Sequence, residues 1–278
     1  LLQSLQCRNN LLTSLDVTRN PELRDIFADN MARWGEEPSV RFSTGYNNNQ
    51  ITALDVSFNF DLEHLALDGN ALVYLDVSEN EKLADLSVSG NSLTNLEMGN
   101  KPELHKFHCI GNNLTAIDLT QCPALEDLKF SETYITELDV SQSTALTEFE
   151  CQDNRLQNLD VSRNTALTKL WCWNNQLTKL DVSNNTALTD LRCDQNQLAV
   201  LDISNNAALT LLNCWNNQLT ELDLSRNTAL TSLGCEDNHL TALDVNKNTA
   251  LTCLNCLRNQ ITALDVRNNI LLTGIWCN

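Results

Sequence analysis

Glycine and proline are scarce in this chain of 278 residues, at 8 and 4. Too few glycines remain for a glycine-rich phosphate loop, or for calcium coils that need glycine bends and several oxygen ligands per turn. Basic residues are few as well: Lys plus Arg total 18 against 36 acids, a net charge of −18, with no basic stripe. DNA and RNA need clustered Lys and Arg, so no nucleic-acid partner is expected. No apolar run reaches the length of a membrane span, and no membrane insertion by this segment is expected. Of 4 histidines, His105 and His108 lie closest in sequence. Three positions apart on a strand they face opposite sides, which argues against a shared metal. No nucleophile–base pair or metal motif stands out, so the expectation is a non-enzymatic chain with no cofactor and no metal.

What the chain has in abundance is itself. Cys151, Cys172, Cys193, Cys214, Cys235, Cys256 and Cys277 recur with a 21-residue period, and Cys109 lies two periods earlier. The unit reads L-x-x-L-x-C-x-x-N-x-L-x-x-L-D-V-S-x-N-x-x. It starts at Leu2, Leu23, Leu62, Leu83 and once per period thereafter to Leu272, giving twelve units and a fragment. The step from Leu23 to Leu62 exceeds one period by an insertion of 18 near Asp29–Asn47. That stretch holds Trp34, Gly35, Pro38 and Gly45 and reads as a loop.

Within a unit, "KLWCWN" alternates: Leu170 and Cys172 point one way, Trp171 and Trp173 the other. Period-two alternation is a strand, and so short a strand can bury its apolar side only against a neighbouring coil. About six side chains per coil should point inward, at roughly 1.5–3 kcal/mol each for full burial. So short a unit leaves little room for a return helix, and Leu180 and Val182 alternate again, so the return side should be extended or a tight turn.

The pattern resembles the leucine-rich-repeat family, and cysteine at the third core position resembles the 21-residue cysteine-ladder repeats of the bacterial internalin J type. Leu67, Val88 and Phe130 replace the cysteine in three units. The resemblance implies a curved right-handed solenoid over residues 1–278 as a single domain. Each coil would place one short parallel strand on the concave face, with little or no α-helix. It also implies a secreted or surface-attached bacterial protein. Terminal coils of a solenoid need polar caps, so these are expected beyond the segment.

The polar constants read as architecture. Asn154, Asn175, Asn196, Asn217, Asn238 and Asn259 follow the strand, where an amide can satisfy backbone groups and stack in a ladder. Asn164, Asn185, Asn206, Asn227, Asn248 and Asn269 form a second set. Twelve acids, Asp16 to Asp265, occupy the "LDV" position. Stacked in a row they would repel unless each accepts N–H bonds from its own turn. The ladder thiols are expected reduced and buried, because side-by-side projection in a parallel sheet does not suit a disulfide. Cys122 takes the second asparagine position, and Cys253 sits on the outward strand face.

The outward positions vary while the core repeats. The fifth runs Glu150, Trp171, Arg192, Asn213, Gly234, Asn255, Trp276; the seventh runs Gln152, Trp173, Asp194, Trp215, Glu236, Leu257, Asn278. Four of the five tryptophans stand there. A fixed core under a changing face suits recognition, and aromatics with arginine are common interface anchors. The candidate patch is Trp171, Trp173, Arg192, Asp194, Asn213, Trp215, Glu236 and Trp276, with Trp276 an outlying member. Three readings compete: a protein ligand bound in an adhesin-like manner, a glycan stacked on the tryptophans, and a structural spacer. Mixed charge around the patch favours protein.

Overall fold

The computed structural model describes residues 1–30 and 49–277. Most of the expected insertion, including Trp34, lies outside the described residues, as does Asn278. The chain falls into two compact units, Leu1–Ile135 and Thr136–Asn278.

In the first unit the coils present β1 (Ser4–Gln6), β2 (Asp25–Phe27), β3 (His64–Ala66), β5 (Asp85–Ser87), β7 (Lys106–His108) and β8 (Asp127–Lys129). Each pairs in parallel with the next in this series. On the return side β4 (Tyr74–Asp76) pairs in parallel with β6 (Asn95–Glu97). The second unit continues the pattern with β9 (Glu148–Glu150), β10 (Lys169–Trp171), β11 (Asp190–Arg192), β12 (Leu211–Asn213), β13 (Ser232–Gly234), β14 (Cys253–Asn255) and β15 (Gly274–Trp276), all parallel. No helix occurs among the described residues. The expected solenoid, one short parallel strand per coil, is what forms.

The core follows the alternation. In the coil beginning at Leu167, the side chains of Leu167, Leu170, Cys172, Leu177, Leu180 and Val182 are all buried. The same six positions repeat in neighbouring coils, so each coil fills the surface that its neighbour would leave wet.

Both asparagine sets are ladders. Asn175 donates through Nδ2 to the carbonyls of Cys172 (3.1 Å) and Cys151 (3.0 Å), and its Oδ1 accepts from the Leu156 N–H (2.9 Å). One side chain thus ties its own coil to the previous one at two points and braces its own turn at a third. Asn185 donates to the carbonyls of Val161 (3.0 Å) and Asn164 (2.9 Å), while its buried Oδ1 has no partner.

The residue before the first asparagine turns left-handed in coil after coil, with φ near +50° at Asn174, Gln195, Asn216 and Arg258. Gly69, Gly90 and Gly111 hold the same position at φ +70°, +62° and +65°. Three of the chain's few glycines therefore sit where a side chain costs most.

The neck of the insertion is closed by two asparagines. Asn49 donates its N–H to Asn30 Oδ1 at 2.7 Å, and Asn30 Nδ2 reaches the carbonyls of Asn49 (3.0 Å) and Gly69 (2.6 Å). Asn49 is itself a ladder member, bonded to Cys7 and Ala28 carbonyls. Asp29 is 2% exposed and paired with Arg8 at 2.8 Å, so the coil runs regularly through this residue.

Candidate functional site

The two units carry different chemistry on their strand faces. In the first, charge is consumed internally. His64 pairs with Asp85 at 2.7 Å, His108 with Asp127 at 2.9 Å, and Ser87 donates to Asp68 at 2.7 Å. His105 faces Glu126 at 3.6 Å, so His105 and His108 serve different partners. Burial raises the Asp68 carboxyl to about 6. Among the described residues no group of three or more His, Cys, Asp or Glu could hold a metal.

The "LDV" acids on the return side are explained by their own turns. Asp160, Asp181 and Asp202 each accept the N–H of the serine two residues on at 2.9 Å. The serine hydroxyl and N–H together lower the Asp160 and Asp181 carboxyls below the usual aspartate range. Glu97 departs from the pattern and instead accepts from Asn95 Nδ2 at 2.9 Å.

The second unit carries the tryptophans. Strand register aligns Trp171, Arg192, Asn213, Gly234, Asn255 and Trp276 in one row across β10 to β15. Trp171 is a packed element of this face. Lys169 Nζ stands 3.7 Å and Arg192 Cζ 4.0 Å from its ring centroid. Glu150 neutralises Lys169 at 2.6 Å, and Asp190 holds Arg192 at 3.1 Å. The Trp171 indole nitrogen is buried without a partner. Trp171 and Arg192 are therefore brought together, and they spend their contact area on each other.

The seventh position forms a second row. Asp194 falls between Trp173 and Trp215, one coil from each, and is only 5% exposed. Burial pushes its carboxyl up to about 7; the Glu236 and Asp153 charges add to this, against its backbone hydrogen bond and Arg192. The Glu236 carboxyl is also raised, chiefly by burial. Trp173 and Trp215 remain half-exposed.

Asn213, Trp215, Glu236 and Trp276 line one depression of about 390 Å³. Trp276, expected at the edge of the patch, is a wall of it, because only Gly234 and Asn255 stand between it and Asn213 in the row. The other lining residues are Ser232, Leu233, Gly234, Cys253, Asn255 and Leu257. The sequence reading left these outside the patch. The signal that could have found them is Gly234, a glycine at a position where other coils place a large side chain.

Comparisons place this geometry among known solenoids. The functional domain of InlJ from Listeria monocytogenes, described as including a cysteine ladder, is 36% identical with a TM-score of 0.79. The alignment covers 82% of this chain and 51% of that one, so the chain spans about half of that neighbour. A leucine-rich-repeat protein of Leptospira interrogans aligns over 100% of this chain and 78% of its own at 19% identity and TM-score 0.73. YopM from Yersinia enterocolitica aligns over 100% and 60% at 22% identity and TM-score 0.70. The last two show the fold alone. A family model described as the LVIVD repeat matches residues 193–217, little more than one coil. A search of curated proteins finds no match.

Proposed function

We propose that this cysteine-ladder leucine-rich-repeat solenoid, which resembles the InlJ domain, is a non-enzymatic protein-binding module whose binding surface is the strand face of its second unit. Internalin-like neighbours suggest a protein-interaction module. The finer reading is an adhesin-like role in a secreted or cell-surface bacterial protein. We read residues 1–278 as one repeat domain, since the repeat period runs unbroken from Leu62 to Leu272.

One observation carries the proposal. Core and ladder positions repeat almost without change, whereas the strand face changes from coil to coil and leaves Trp173, Trp215 and Trp276 partly open to solvent. Large aromatics on a rigid sheet supply contact area at little entropic cost, which is how interface anchors work. Trp171 and Arg192 belong to the support of this surface, and Asp194 is buried in the row between Trp173 and Trp215.

The test is a binding screen of the purified chain against extracellular proteins and glycans, followed by Trp173→Ala and Trp215→Ala. Each substitution should weaken binding of an identified protein by at least about 1–2 kcal/mol. Neither should unfold the array, whereas Leu170→Ala, in the core, should cost about 2–5 kcal/mol. Tryptophan variants as unstable as Leu170→Ala would mark these residues as packing elements. Selective glycan binding lost in the same variants would replace the protein reading with the carbohydrate one.

A further inference from the structure

Trp171 and Trp215 stand two coils apart on one face, and the chain treats them differently. The ring of Trp171 is covered by Lys169 and Arg192, each held by a carboxylate, Glu150 and Asp190. Trp215 has the carboxylate and lacks the cation. Glu236, the next residue in its row, keeps one buried oxygen, Oε2, without a hydrogen-bond partner. Arg258, whose charge reaches Glu236, is itself held by Asp237 through Nε and Nη2. None of the described lysines or arginines stands over the Trp215 ring.

Gly234 leaves room beside the half-buried Glu236 side chain, whose other oxygen is not among the buried unpartnered ones. A Cβ at Gly234 would lie 2.7 Å from Asn213 Oδ1 and 3.4 Å from Glu236 Oε2. A longer side chain would fill the open depression of about 390 Å³ that Trp215, Glu236, Asn255 and Trp276 line. That volume is at the small end of ligand sites and suits one side chain rather than a folded element.

We propose that this depression is a subsite for one arginine side chain of a protein partner, which completes on Trp215 and Glu236 the arrangement that Arg192 and Lys169 complete on Trp171. The inference rests on the reading that the strand face binds protein. Guanidinium stacks flat on an indole and forks onto a carboxylate, so one group satisfies both features. A neutral sugar could hydrogen-bond the Glu236 carboxylate but would bring it no charge beyond that of Arg258, which Asp237 already holds. The chain's net charge of −18 draws basic segments toward it.

The experiment titrates the isotopically labelled protein with the blocked peptide Gly-Arg-Gly, its citrulline counterpart and neutral methyl glycosides. The indole N–H resonances of Trp215 and Trp276 are followed by NMR. A saturable shift with the arginine peptide is expected, at least about tenfold weaker with citrulline, which keeps the shape and removes the charge. Glu236→Gln, which is isosteric, and Gly234→Leu, which fills the space, should each abolish the shift while circular dichroism and melting show a folded array. Equal responses to arginine and citrulline would overturn the proposal, as would an arginine response that survives both variants. A stronger response to a neutral glycoside at the same indoles would overturn it in favour of a glycan. Suppose an identified protein partner loses affinity for Trp173→Ala but binds Glu236→Gln and Gly234→Leu unchanged. The strand-face reading then stands and the arginine subsite falls; if none of the three variants matters, both fall.

Discussion

Arg192 stands over Trp171, its Cζ 4.0 Å from the ring centroid, and the two are direct cross-strand neighbours in β11 and β10. The guanidinium is further oriented by Asp190, which accepts from Nε at 3.2 Å and Nη2 at 3.1 Å. A half-exposed cation on an indole should couple to it by about 0.5–1 kcal/mol. A double-mutant cycle on Trp171→Ala and Arg192→Ala, read by chemical denaturation, should recover a coupling of that order. Zero coupling would show the stack to be incidental.

The first asparagine ladder should be costly to cut. Asn175→Ala strips a partner from the Cys151 and Cys172 carbonyls and the Leu156 N–H, all buried, and from the half-buried Trp173 carbonyl. Each orphaned group costs about 1–3 kcal/mol, so a total loss of at least about 2 kcal/mol is expected after relaxation. Asn184→Ala, at the exposed neighbour that donates only to the Ser162 carbonyl, should cost less than about 1 kcal/mol. Equal midpoints for the two variants in urea would contradict the ladder's role.

Asp194 should make the array more stable in mild acid than at neutral pH. Its folded carboxyl is raised from 3.8 to about 7. Between those values the native state binds the proton and the unfolded chain does not, so this contribution is full below 3.8 and is lost as pH rises through about 7. Asp194→Asn should remove that dependence, flattening stability against pH across this window relative to the parent. The turn aspartates act oppositely: their lowered carboxyls stabilise above the ordinary value of 3.8 and lose this as pH falls. Parallel pH profiles for parent and variant between pH 4 and 7 would refute the assignment.

The thiols should divide into two classes. All eleven are free, and those of Cys109, Cys151, Cys172, Cys193, Cys214 and Cys235 are buried, with burial pushing each well above the usual thiol range. Cys253 is half-buried beside the depression, and Cys277 is exposed. Cys277, the last ladder member and expected to be buried, is thus exposed, so alkylation of the native protein should mark Cys253 and Cys277 within minutes and leave Cys109 and the ladder from Cys151 to Cys256 unmodified until denaturant is added. Rapid labelling at Cys172 in the native state would mean that the coils open locally.

Much of this was legible in the chain. Leu170 and Cys172 announce a buried face because strand alternation is a local rule, and the constant repeat period states what each coil stacks on. The acids at "LDV" were readable as turn acceptors, since a carboxylate two residues before a serine meets its N–H through backbone geometry alone. Less local features were not. Lys101 takes a second-ladder position and is wholly buried, with Cys122 one period later in the same row; burial lowers its ammonium to about 8, and no spacing rule flags it. Trp171 and Trp215 look alike in sequence, each beside a cysteine on an outward position. Which of the two is covered depends on where Lys169 and Arg192 reach.

The sequence by itself determined the solenoid, its period, the inward residues and the ladders, because each follows from alternation along one strand and repetition from coil to coil. Only the tertiary structure decided which outward groups remain free to meet a partner. Side chains one period apart become neighbours at roughly 4.8 Å, and their mutual contacts set who is buried, who is charged and who is open. Asp194 gains its raised carboxyl from such neighbours. Gly234 gains its meaning from Asn213 one strand before it and Glu236 beside it, which together turn a missing side chain into a depression.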